Sequence, residues 1–266
     1  MYNFTYHRPT GLRQAGNMLT KLEEAKLLAG GQTLIPVMKQ RLASPANIID
    51  LNKIDGLAGV ELKGRSLIIG AMTRHVDVAN SDVVKTNLPA LAELAEMVGD
   101  PHVRHRGTLG GSIANNDPNA DYPAACLGLG ATIITTKRRI PADDFFKGMF
   151  ETALEPDEII TKVNFPLAKK AGYIKFRNPA SRFALVGVFV SKRGSEIRVA
   201  VTGAGASGVF RVASFEEALK KRFAPKSLDG LTVPATGLAS DIHGSAEYRA
   251  HLIGVLAKRA VAKATA

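Results

Sequence analysis

The chain has 266 residues, 45% hydrophobic and 22% charged, proportions of an ordinary globular protein that exclude a disordered or fibrous one. Its 35 Lys and Arg outnumber its 24 Asp and Glu for a formal charge of +11, which favours anionic partners such as phosphates or acidic surfaces. Cys126 is the only cysteine, so no internal disulfide can form and no thiolate set is available for an iron–sulfur cluster or structural zinc.

No apolar run approaches the roughly 20 residues that cross a bilayer, and the first ten residues lack the regions of a secretory signal, so a cytoplasmic location is expected by default. The basic clusters Lys137-Arg138-Arg139, Lys169-Lys170 and Lys220-Lys221-Arg222 are short, scattered and without interleaved aromatics, which fits solvated surface better than a nucleic-acid stripe. His102 and His105 have a spacing conceivable for metal ligands, but no carboxylate or thiol pattern accompanies them, and no metal site is expected.

In chain order, Leu12, Ala15, Met18, Leu19 and Leu22 recur at helical spacing and predict a helix over 12–26. Residues 27–29 predict a short buried strand ending at Gly30-Gly31. Thr33 is placed to cap a second helix running to about residue 42, with Pro36 tolerated in its first turn. A strand over 47–51 completes a compact unit that ends near residue 56. Residues 66–71 then predict a strand, Thr73 a cap for a helix through Val78, and 88–98 a helix with Leu91, Leu94 and Ala95 on one face. The stretch 99–121, GDPHVRHRGTLGGSIANNDPNAD, predicts a long polar loop between apolar segments, a feature usually functional or disordered. A helix over 122–129, with Asp121 at its cap, and a β-branched strand over 131–136 follow. Beyond Pro166 and the Lys169-Lys170-Ala171-Gly172 linker, strand candidates at 173–177, 184–190, 197–202 and 209–212 succeed one another closely, the spacing of an antiparallel meander. Helices over 215–222 and 246–264 close the chain.

Two glycine pairs punctuate this order: Ala29-Gly30-Gly31-Gln32-Thr33 at a strand-to-helix junction, and Thr108-Leu109-Gly110-Gly111-Ser112 within the polar loop. Glycine permits positive φ and close approach of main-chain N–H groups to an oxyanion, and a helix beginning near Thr33 would add its dipole. Hydroxyls at Thr33, Thr108 and Ser112 could complete a pyrophosphate cradle. Either pair alone reads more readily as a simple tight turn; their recurrence favours a ligand. Neither matches G-x-G-x-x-G or G-x-x-x-x-G-K-[ST], which disfavours a Rossmann domain and a P-loop.

On the strings AGGQTLIPVMKQRLASPANIIDL (29–51), IGAMTRH (69–75) and GDPHVRHRGTLGGSIANNDPNADYPAA (99–125), continued through DEIITKVNFP (157–166) to EYRAHLIGVLAKRAV (247–261), the chain resembles the FAD-binding medium subunits of carbon monoxide dehydrogenase-type molybdenum hydroxylases, in the xanthine oxidase superfamily. The resemblance covers essentially the whole chain and is specific for the family, not for a substrate. It implies an α+β fold: a two-subdomain FAD-binding unit of the PCMH or vanillyl-alcohol-oxidase type, 1–56 and 57–168, and a C-terminal flavoprotein domain, 169–266, of antiparallel sheet with helices. FAD would lie extended between the first two.

The same resemblance assigns Ala29, Gly30, Gly31, Gln32, Thr33 and Leu34 to a first pyrophosphate turn and Thr108, Leu109, Gly110, Gly111 and Ser112 to a second. Asp121 becomes an acidic residue able to accept from ribityl hydroxyls, Ile160 a residue packed near the flavin, and Lys175 a lysine beside it. From the residues alone, Asp121 serves equally as a helix cap, Ile160 as ordinary core and Lys175 as a solvated strand lysine. Gln32 stands where many relatives have histidine, keeping hydrogen bonding without titration near neutral pH. Residues 178–182 depart from the carbon monoxide enzymes' pattern, so their substrate is not carried over.

The implied role is electron relay. A large subunit with the molybdenum cofactor oxidises the substrate, a small subunit carries 2Fe-2S clusters, and this chain passes the electrons through FAD to an external acceptor, within a dimer of heterotrimers. No catalytic side chain and no nucleic-acid partner are expected. The alternatives are a stand-alone FAD-dependent oxidoreductase and, less favoured, a non-redox nucleotide- or nucleic-acid-binding protein.

Overall fold

A computed structural model describes residues 1–266. The first unit comprises β1 (Thr5–His7), α1 (Leu12–Lys21), β2 (Ala25–Leu28), α2 (Leu34–Lys39) and β3 (Asn47–Asp50). Its strands are parallel in the order β1–β3–β2, a pairing that needs crossovers rather than hairpins, and the two helices supply them. Leu12, Ala15, Met18 and Leu19 of α1 pack with Ile49, Leu51, Ile54, Leu57 and Ile159. The helix stops before the expected residue 26 because Glu24 turns left-handed, at φ 47°, and sends the chain into β2. Gly30-Gly31 thereby falls at the carboxyl end of a parallel edge strand, where open α/β sheets place ligands.

Residues 60–166 contain β4 (Val60–Lys63), β5 (Ser66–Gly70), α3 (His75–Asn80), α4 (Asp82–Asn87), α5 (Pro89–Glu96), α6 (Pro101–Arg104), α7 (Leu109–Asn115), α8 (Tyr122–Leu129), β6 (Thr132–Thr135), β7 (Arg139–Pro141), α9 (Ala142–Phe145), the hairpin β8 (Phe146–Gly148) and β9 (Glu151–Thr152), and β10 (Ile160–Pro166). The sheet is antiparallel in the order β4–β5–β10–β6–β7. Its central strand buries Val163 and Phe165 completely. Every residue of α8 is buried; a helix apolar all round belongs in a core, and α8 lies between this sheet and the next, touching β10, β12 and β13.

β11 (Lys170–Arg177), β12 (Ala184–Arg193), β13 (Glu196–Thr202) and β14 (Phe210–Arg211) form the expected meander, paired in sequence order. α10 (Ala213–Lys221) follows, and α11 (Ala246–Thr265) lays Leu252, Ile253, Leu256, Ala257, Ala260 and Val261 against β11 and β12.

Two local expectations are corrected. The 99–121 segment is no structureless loop: Asp100 accepts from Val103 N–H to start α6, Thr108 accepts from Gly111 N–H to start α7, and Asn116, left-handed at φ 43°, ends it. Thr73 does not cap α3. Its hydroxyl takes the N–H of Gly59 and gives its proton to the Gly59 carbonyl, and the helix begins two residues later.

Candidate functional site

The two glycine turns meet. A Cβ on Gly30 would stand 2.1 Å from Arg106 O and 2.7 Å from Gly107 Cα, and one on Gly110 would stand 2.7 Å from Ala71 O. A Cβ on Gly111 would come within 3.6 Å of Ala29 Cβ. Glycine is therefore required at Gly30 and Gly110 so that main chain can lie on main chain, and at Gly31 by a φ of +74°.

Their donors differ. Main-chain N–H groups of Gly30, Gly31, Gln32, Thr33 and Leu34 have no acceptor within the chain, whereas Leu109 N–H donates to Thr73 O, Gly110 N–H to Ala71 O, Gly111 N–H to Thr108 Oγ1 and Ser112 N–H to Thr108 O. The expectation of open donors on both turns is thus corrected at Gly110 and Gly111: in the second turn only the Thr108 N–H lacks an acceptor, and this turn buttresses the first. Thr33 makes no cap bond and keeps its hydroxyl open. With only six residues in α2, the donors themselves, rather than a helix dipole, make this turn suited to an anion.

A cleft of about 720 Å³ starts at these turns and reaches Asp121, Ile160 and Lys175. Of the expected site residues, Leu109 alone does not border it; its side chain is core. Ile160, almost fully buried, stands at the irregular start of the β10–β6 ladder. Asp121 makes no cap bond. Its carboxylate instead accepts from Tyr173 Oη at 2.5 Å and from Lys175 Nζ at 2.9 Å, and the same ammonium also donates to Met97 O at 3.1 Å. Burial pushes the Asp121 carboxyl up, while Lys175 and Tyr173 pull against it. The Lys175 side chain is wholly removed from water, so it is not a solvated strand lysine, and a buried ammonium persists only when paired in this way.

Sequence reasoning missed three groups. Tyr173 was visible in principle, because residues two apart on a strand share a face and Lys175 was already singled out. Gly187 makes room for its ring, since a Cβ there would stand 2.4 Å from the hydroxyl oxygen. Glu158, buried at the cleft rim, accepts from Arg138 through Nε and Nη2 at 3.0 Å each, from Thr135 at 2.6 Å and from Glu155 N–H at 2.9 Å. Desolvation opposes its ionisation, but these bonds hold the carboxyl down at about 2. His75 borders the cleft with Nδ1 buried and unpartnered; burial, and then the Arg104 guanidinium, lower its pKa to about 4.

An open row of N–H donors, at one end of a cleft whose far end holds a buried ion pair and apolar walls, fits the diphosphate and ring system of FAD. The chain matches the family model described as FAD binding domain in molybdopterin dehydrogenase over residues 2–168. It is 36% identical to the carbon monoxide dehydrogenase medium chain of Hydrogenophaga pseudoflava, covering 97% of this chain and 96% of that one. It is 35% identical to the nicotine 6-hydroxylase medium subunit of Paenarthrobacter nicotinovorans, covering 98% and 97%. Reconstituted CO dehydrogenase from Oligotropha carboxidovorans superposes on it with a TM-score of 0.88 at 33% identity, covering 99% of this chain and 98% of that one. On the matched domain and on identity sustained over nearly the whole length, the chain belongs to the family of FAD-binding medium subunits of carbon monoxide dehydrogenase-type molybdenum hydroxylases.

Proposed function

We propose that this chain is the FAD-carrying relay of a multi-subunit molybdenum hydroxylase, taking electrons from 2Fe-2S clusters of a partner and passing them to an external acceptor. The observation that carries this reading is the run of five unbonded N–H groups from Gly30 to Leu34 opening onto a cleft that ends at the Asp121–Lys175 pair. Bound FAD exchanges electrons singly or in pairs, which suits a junction between one-electron centres and a final acceptor.

The chain's own residues bind and orient. Residues 30–34 hold the diphosphate, with the hydroxyls of Thr33 and Ser112 beside it. Ala29, Thr108, Gly110 and Gly111 fix the approach of the two turns, and Leu109 anchors the second in the core. Ile160 keeps water from the flavin end, and Lys175, held by Asp121 and Met97 O, sets an ammonium there. Gln32 keeps hydrogen-bonding capacity at the turn without adding a titrating group. In this reading 1–56, 57–168 and 169–266 are three units, with the cofactor between the first two and roofed by the third.

The partners are a large molybdenum-cofactor subunit and a small iron–sulfur subunit, arranged as a dimer of heterotrimers in the cytoplasm. Two relatives named for different substrates, carbon monoxide and nicotine, are each medium chains, which supports a substrate pocket on another polypeptide. No helix is long and apolar enough to cross a membrane.

The test is isolation of the native complex through this chain, followed by an absorption spectrum and metal analysis. Flavin, molybdenum and iron should co-purify. A yellow protein free of both metals that turns over a substrate alone would establish the stand-alone oxidoreductase, and a colourless one would refute the flavin reading.

A further inference from the structure

Gly107 is glycine for a reason its backbone does not supply. Its φ lies outside the left-handed range, yet a Cβ there would stand 2.6 Å from His75 Nε2, 2.8 Å from His75 Cδ2 and 3.1 Å from Val103 O. The absent side chain makes room for the Nε2 edge of the imidazole, and both residues border the cleft. Gly107 also meets the first glycine turn, where a Cβ on Gly30 would stand 2.7 Å from Gly107 Cα. The His75 main-chain N–H donates to Gly107 O at 3.0 Å and ties the two residues together. His75, Gly107 and Gly30 are therefore contiguous, and the imidazole and the row of unbonded donors border the same cleft.

The far nitrogen of the ring fixes its tautomer. Nδ1 is buried with no partner, and so is the hydroxyl of Tyr122, whose ring centroid is 5.3 Å away. An orphaned buried N–H is costlier and rarer than an under-used acceptor, so the single proton of the neutral ring belongs on Nε2, at the cleft. We infer that His75, through Nε2–H, is a sixth hydrogen-bond donor to the diphosphate oxygens held by residues 30–34. The inference rests on the FAD reading and adds to it a side chain outside both glycine turns, contributing a donor without a formal charge.

The test uses the full-length chain stripped of flavin, in unaltered, His75→Leu and His75→Gln forms, titrated with FAD and separately with ADP. ADP carries the diphosphate without the ribityl chain and flavin. His75→Leu should weaken both ligands alike, by about tenfold, as loss of one hydrogen bond to a charged group predicts. Glutamine, whose Nε2 can donate from a similar reach, should stay within about threefold. Unchanged affinities in the leucine variant would overturn the inference, and so would a loss confined to FAD, because the donor would then serve the ribityl or flavin part. If the unaltered chain binds neither ligand, the FAD reading fails, and no variant is needed to see it. A long-range ¹H–¹⁵N spectrum of the unaltered chain covers the case of a misfolded variant. It should show His75 neutral with the proton on Nε2, and the Nε2 resonance should shift on adding ADP. A proton on Nδ1, or no shift at saturating ADP, would overturn the assignment.

Discussion

Lys175 closes on Asp121 across 2.9 Å with both side chains shut off from water, and the contact joins β11 to the start of α8. Breaking one partner of such a pair leaves a buried charge without compensation, at a cost of about 3–5 kcal/mol. Lys175→Met should lower unfolding stability by that amount. The Asp121→Asn/Lys175→Met double variant should lose clearly less than the sum of the two single changes, because neither side then buries an orphan charge. Urea denaturation of the four proteins checks this, and strict additivity would mean the pair is not coupled.

The asymmetry between the turns predicts an order of flavin loss. Gly30→Ala would set a methyl 2.1 Å from the Arg106 carbonyl, so the turn must shift and the FAD-to-protein absorbance ratio should collapse. Gly31→Ala would set a methyl 2.6 Å from Ile35 Cδ1, a side-chain end that can move aside, and forces alanine to a φ of +74°, a strain of about 1–2 kcal/mol, so it should lower affinity by roughly tenfold. At Gly111 the nearest obstacle is the Thr108 hydroxyl at 3.0 Å, which a shift of a few tenths of an ångström relieves while its cap bond to the Gly111 N–H is kept, so alanine there should do least. Equal loss at Gly111 and Gly30 would show that the second turn carries the diphosphate after all.

The meander, the α8 core helix and the glycine turns were legible because each is written in local terms: β-branched alternation between turn residues, an unbroken apolar run, paired glycines. The asymmetry between the turns was not. Whether an N–H is free depends on which carbonyl lies opposite, and Ala71 O and Thr73 O reach Gly110 and Leu109 from almost forty residues away. Asp121 was ambiguous for a related reason: a carboxylate before a helix reads as a cap, and only the folding of β11 over α8 brings Tyr173 and Lys175 to draw it elsewhere. The short helices α6 and α7 were hidden by glycine-rich composition, although Asp100 and Thr108 stood in capping positions.

Glu158 sets a pH dependence whose sign follows from its depressed carboxyl, about 2 in the fold against an ordinary value of 4.5. The unfolded chain takes up this proton first, so the stabilisation is complete above about pH 4.5 and fades as pH falls toward 2. Glu158→Gln should cost about 2 kcal/mol at pH 7, since Arg138 and Thr135 lose an ionised partner. The Tm gap between the two proteins should narrow steadily below pH 4.5. A gap constant down to pH 3 would mean that this carboxylate is not ionised in the clamp.

Asn52 offers a way to loosen the diphosphate turn without touching it. Its Nδ2 donates to Ala29 O at 3.1 Å and to Asp50 Oδ1 at 2.6 Å, tying the turn to the end of β3. The side chain is exposed, so Asn52→Ala should change Tm little while FAD affinity falls by about fivefold, the scale of one net hydrogen bond. Asn52→Asp should be worse than alanine, because a carboxylate then faces both the Ala29 carbonyl and Asp50. Fluorescence titration with FAD, read beside a thermal melt, separates positioning from folding: a large Tm loss with unchanged affinity would make Asn52 a strand-end brace and nothing more.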